Sequence, residues 1–121
     1  MRLNMTQQEI FDTVVNGLRK QNCQSWDEAS GGCMYRGDNG AKCAVGLLLP
    51  DELYHRSMEG KSVDELPDDV RDFFGADNIQ LLMDLQAAPD YGGAVWEDFS
   101  DVEDYFRGVA KDYKLTFPEA E

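Results

Sequence analysis

Lys42–Pro50 reads KCAVGLLLP, and the backbone that this run adopts decides the class of the fold. Ahead of it lies Cys33–Ala41, CMYRGDNGA, whose GDNG is a strong turn signal. As a strand, the run would be the second arm of a small β-hairpin near residues 33–45. As a helix, it would be a short buried one, stopped ahead of Pro50. Ala44 and Gly46 allow close backbone approach in either case. The helix is favoured, which makes the expected class mainly α, with α+β as the alternative.

Upstream, Thr6 and Glu9 form a capping-box signature, and Met5 with Ile10 the matching hydrophobic staple. Ile10, Phe11, Val14, Val15 and Leu18 then share one helical face, predicting a helix from about Thr6 to Gln21. Residues 22–32 read as a loop with a short turn near Ser25–Glu28, anchored by Trp26.

Downstream, several short helical starts follow. Pro50 suits a first helical position before DELY, and Ser62 with Glu65 is a second capping signature. Pro67 and the acids after it open a helix that Gly75 stops. Ile79, Leu82, Met83 and Leu85 mark a core helix ended by Pro89.

Val95, Phe99, Val102, Phe106, Val109 and Tyr113 recur at alternating steps of four and three residues. This is a heptad seam on a long C-terminal helix, expected from about Ala94 to Lys114, with Ser100 and Glu103 offering a later start. Such a seam suits packing within the domain, or a homodimer through this helix. The terminal TFPEAE is expected to fray. The whole chain, residues 1–121, is expected to be one compact helical domain.

The charge is polarised. The chain carries 24 Asp and Glu against 11 Lys and Arg, for a net charge of −13. Residues 1–50 and 105–121 each balance their acids and bases, so the excess lies in residues 51–104, whose only bases are Arg56, Lys61 and Arg71. Direct nucleic-acid binding is disfavoured, because neutralising phosphates needs clustered Lys and Arg. Such a field instead draws basic protein surfaces, among them those that normally hold nucleic acid. No apolar run is long enough for a membrane helix, and MRLNMTQQEI does not read as a signal peptide. With three cysteines, a disulfide framework is not expected and the cytosol is.

Cys23, Cys33, Cys43 and His55 are suitable zinc donors, but they lack the close pairs that structural zinc sites use. No metal and no cofactor is therefore expected. A thiol- or metal-dependent enzyme centred on Cys33, Cys43 and His55 is the alternative from another functional class. Tyr35, Arg36 and Lys42 are expected to serve packing and a salt bridge to the acidic segment. The candidate partner-binding residues are Asp64, Glu65, Asp68, Asp69, Asp72, Asp77, Glu97, Asp98, Asp101, Glu103 and Asp104. Carboxylates along neighbouring helical segments can imitate the charge spacing of a phosphate backbone, about 1.7 Å of axis per charge in duplex DNA.

Cys33-x-Tyr-Arg, Gly40–Gly46, Leu49–Tyr54 and Met58–Gly60 together resemble a group of small proteins from bacteria and their phages with a KCAxGxLIPDExY block. The resemblance extends through Leu85–Gln86 to Val109-Ala-Lys-Asp-Tyr113-Lys-Leu115. Members often carry His-Asp after the Leu-Gln pair, where this chain has Pro89-Asp90. The resemblance implies a phage or prophage origin and assigns no chemistry. The expectation is a small acidic, non-enzymatic, phage-type inhibitor in the host bacterial cytosol. It would block a basic surface of a host nucleic-acid-handling or defence complex, in the manner of an anti-CRISPR or anti-restriction protein. A homodimeric housekeeping domain is a further alternative.

Overall fold

A computed structural model describes residues 2–22, 26–27, 32–33, 35–36, 42–59, 61–87 and 98–119. Five α-helices dominate them: α1 (Gln7–Gln21), α2 (Ala44–Leu48), α3 (Asp68–Phe74), α4 (Ile79–Ala87) and α5 (Ser100–Asp112). Single 3₁₀ turns at Asp51–Leu53, Arg56–Met58, Val63–Glu65 and Ala76–Asn78 fill the connections. The domain is mainly α, as the sequence predicts.

The capping box that opens α1 is formed. Thr6 Oγ1 accepts from the Glu9 amide at 3.1 Å, and Glu9 Oε1 accepts from the Thr6 amide at 2.9 Å. Met5, the expected staple partner of Ile10, is the exposed large apolar side chain of the described residues. Ile10, Phe11, Val14, Val15 and Leu18 are all buried, as their spacing requires. Asn22 ends the helix in the left-handed region at φ 53°, which Asn tolerates better than most residues. Its side-chain oxygen accepts from the Phe99 amide at 2.8 Å and so ties the end of α1 to the start of α5.

The KCAVGLLLP run is helical from Ala44 to Leu48, and α2 packs against both α1 and α4. Two side chains supply what a buried five-residue helix cannot supply for itself. Cys43 Sγ accepts from the Gly46 amide at 3.4 Å, and Gln86 Oε1 from α4 accepts from the Val45 amide at 3.1 Å. Gln21 pairs with both backbone groups of Lys42, at 2.9 Å each. A Cβ on Gly46 would sit 2.0 Å from the Tyr35 carbonyl oxygen, so only glycine fits there.

Antiparallel pairing starts earlier than expected. A ladder pairs β1 (Trp26–Asp27) with β2 (Gly32–Cys33), so Trp26, Asp27 and Gly32 of the segment expected to be loop are paired. Within residues 33–45 the described pairing is an isolated bridge between Arg36 and Lys42. Past Lys42 the chain leaves this pairing, because Cys43 turns it into α2, whose burial against two helices outweighs a two-stranded edge.

Pro67 precedes α3 and Gly75 ends it at φ 90°. The C-terminal helix begins at Ser100, the later of the two starts, and residues 94–97 lie outside the described residues. Phe99, Val102, Phe106 and Val109 are buried within the chain, with Phe99 and Phe106 stacked at 5.9 Å. The heptad seam therefore serves the domain's own core. The helix closes on a Schellman motif. Lys114 sits at φ 58°, its amide bonds to the Lys111 carbonyl at 3.3 Å, and the Leu115 amide bonds to the Ala110 carbonyl at 2.7 Å.

Of the tail expected to fray, residues 116–119 are held in place, and residues 120–121 lie outside the described residues. Residues 116–119 fold back across α1, where Thr116 pairs with the Gln8 amide group through two bonds of 2.8 Å. Fraying is the local expectation because Gln8 and Arg19, which hold this segment, lie 108 and 99 residues from Thr116 and Pro118 in sequence.

Candidate functional acidic surface

The expected acidic residues lie on four short elements. Asp64 and Glu65 occupy the turn Val63–Glu65, Asp68, Asp69 and Asp72 belong to α3, and Asp77 to the turn Ala76–Asn78. Asp98 precedes α5, while Asp101, Glu103 and Asp104 lie in its first half; Glu97 lies outside the described residues. α4 packs against both of these turns and against α5, while α3 packs against the turn Ala76–Asn78. All are exposed except Glu103, which is half-buried. On α3 this follows from the pattern: Val70, Phe73 and Phe74 face the core, leaving Asp68, Asp69 and Asp72 to solvent.

Local chemistry accounts for part of the arrangement. The Ser62 hydroxyl donates to Asp64 and Glu65 at 2.5 and 2.8 Å, and the Ser62 amide donates to Glu65 at 3.1 Å. These donors hold the Glu65 carboxyl below its ordinary pKa. Asp68 and Asp69 open α3, and Asp101 and Glu103 open α5, where carboxylates favour the helix dipole. Asp68 pairs with Arg71, and Glu103 with Arg107 at 3.3 Å. Two arginines leave most of the charge in place.

An open groove of about 340 Å³ lies between α4 and α5, lined by Asp84, Asp104, Tyr105, Gly108, Val109 and Asp112. Of its three carboxylates, sequence reading selected only Asp104. Asp84 is committed to structure: its carboxylate accepts from Tyr113 and from Gln80, and its carbonyl accepts from the Tyr105 hydroxyl at 2.7 Å. Burial, then Asp84, pushes the Tyr113 phenol up to about 12. The spacing Asp104-x3-Gly-x3-Asp112 could have flagged one groove wall, but only the packing of α4 on α5 brings Asp84 to it.

The segment from Tyr35 to Lys61 makes contacts that serve the fold. The Glu59 carboxylate accepts from the Tyr35 amide at 2.7 Å, the Arg36 amide at 3.1 Å and the Tyr54 hydroxyl at 2.7 Å. Arg36 bonds to Asp51 at 2.6 Å and to the Leu49 carbonyl at 3.0 Å, and stacks over Tyr54. The salt bridge expected from Arg36 to the acidic segment is thus formed. The Tyr35 hydroxyl donates to the Lys61 carbonyl at 2.6 Å. One carboxylate thereby fastens the segment before α2 to the turns that follow it.

Cys43 is buried, whereas His55 is exposed in the 3₁₀ region after Tyr54. Burial pushes the Cys43 thiol up to about 12, the opposite of nucleophile activation. Among the described residues no three His, Cys, Asp or Glu side chains are grouped to hold a metal ion. The Cys23 and Cys33 side chains lie outside that description. No described helix is long and apolar enough to cross a membrane. Comparison with protein-family models, curated proteins and solved structures finds no match for this chain.

Proposed function

We propose that this protein is a non-enzymatic, acidic binding protein that occupies a basic surface on a nucleic-acid-handling complex. One observation carries the reading. The described carboxylates of residues 64–77 and 98–104 are exposed, apart from the half-buried Glu103, on α3 and on three elements that pack against α4, in a chain of net charge −13. An α-helix rises about 1.5 Å per residue, so its exposed acids fall at intervals comparable to duplex phosphates. Self-repulsion within this surface is relieved when a basic partner covers it. The sequence resemblance to bacterial and phage proteins favours a host defence complex in the bacterial cytosol as the target, with blockade of its nucleic-acid channel as the mechanism.

The test is affinity capture from nuclease-treated bacterial lysate, with the wild-type chain and a D68N/D69N/D72N variant as baits. Nucleic-acid-handling proteins should bind the wild type at low salt, elute as salt rises, and bind the variant less. Capture that ignores both salt and the substitutions would overturn the proposal.

A further inference from the structure

A cluster of basic and aromatic side chains on this acidic molecule is covered by residues 116–119. Phe117 lies with the Arg107 guanidinium 4.1 Å and the Arg19 guanidinium 5.5 Å from its ring centroid, and meets Phe11 edge-on at 6.2 Å. Two residues on, Glu119 receives both terminal nitrogens of Arg107 at 3.0 and 2.8 Å. Arg19 donates to the Pro118 carbonyl at 2.8 Å. The Gln8 amide grips both backbone groups of Thr116. These are the means by which proteins recognise peptides: backbone pairing, a cation–aromatic slot and a bidentate arginine on a carboxylate.

Most of the polar bonds that hold the segment are exposed, the part-buried one being that from Arg19 to the Pro118 carbonyl. None of residues 115–119 is buried, and the bonds made by Thr116 and Glu119 are solvent-exposed. The α5 cap is complete at Leu115, before the segment starts, so its departure leaves the helix end satisfied. Beneath it, Phe11 belongs to the buried core through α1, and half-buried Phe117 packs against that core.

We propose that residues 116–119 are a releasable internal ligand. They cover a peptide-binding slot formed by Gln8, Phe11, Arg19 and Arg107, and the slot accepts an extended segment of another protein carrying an aromatic residue and, two positions later, a carboxylate. The tail is then an autoinhibitory contact, displaced when such a segment is offered at sufficient concentration. Cation–aromatic contacts and a bidentate ion pair are separately weak at a surface, which suits exchange.

The experiment uses the full-length chain carrying F117A and E119A, and a synthetic peptide of residues 114–119, KLTFPE. Titration followed by calorimetry should show saturable one-to-one binding to this variant and about tenfold or more weaker binding to the wild type, whose slot is occupied. Adding R107E to the variant should abolish the binding. Equal binding to wild type and variant, or none to a variant that keeps its helical circular dichroism, would overturn the proposal. Loss of the helices in the variant would overturn it too, since a releasable segment cannot be what holds the fold. Hydrogen exchange on the wild type provides the second readout. The Thr116 amide should exchange at least about a hundredfold faster than those of Val14 and Val15. Exchange at the rate of those core amides would mean that the segment opens only on global unfolding.

Discussion

Two helical glycines have opposite reasons to be glycine. At Gly46 an added methyl would strike the Tyr35 carbonyl, backbone against backbone, whereas at Gly108 it would meet nothing within 4 Å. Gly46→Ala should therefore cost about 3 kcal/mol or more, because neither segment can shift without disturbing the Glu59 contacts. Gly108→Ala should stabilise by about 1 kcal/mol through helix propensity alone. Urea denaturation of both variants checks the pair of signs. Cys43 gives a second prediction at this scale. An unfolded thiol ionises near about 8.5, whereas the buried Cys43 keeps its proton up to about 12. Because the folded value is the higher, this contribution to stability is fully present below about pH 8.5 and is lost as pH rises toward 12. Cys43 should accordingly resist alkylation at pH 9 in the native state and react on unfolding, which mass spectrometry reads directly.

At the scale of elements, the helices differ in how they are closed. The α1 box is local and legible, with partners three residues apart. The α2 start is not, since its acceptors are Cys43 and Gln86, the latter 41 residues from the amide that it serves. Residue spacing gave no reason to pair them. The α5 end combines both kinds: its Schellman bonds are local, but they place a lysine where glycine is preferred. Lys114→Gly should raise stability by about 1 kcal/mol by removing the left-handed strain, an effect thermal unfolding would show as an increase of a few degrees. The heptad of α5 was readable as an apolar face but not as to what it faces. Its burial against the rest of the domain accounts for Phe99 and Phe106 without a second chain.

For the molecule as a whole, the dominant quantity is net charge. A surplus of 13 negative charges, concentrated in residues 51–104, opposes the compact state at neutral pH, and screening should relieve it. The melting temperature should rise as sodium chloride increases from about 10 to 300 mM, where the Debye length falls from about 30 Å to under 10 Å. A melting temperature that falls over this range would mean that attractive pairs such as Arg107–Glu119 outweigh the repulsion. The sequence by itself determined the position of α1, the exposure of the acids on α3 and the charge asymmetry, and it favoured the mainly α class. All of these follow from periodicity, caps and composition, which act over a few residues. Only the tertiary structure decided that KCAVGLLLP is a helix, that Glu59 fastens the block around it, that Asp84 joins Asp104 at a groove, and that the tail is held against α1. Each of these depends on polar groups being satisfied by partners distant in sequence. Desolvation makes such pairing obligatory once a segment is buried, and nothing in the local pattern names the partner.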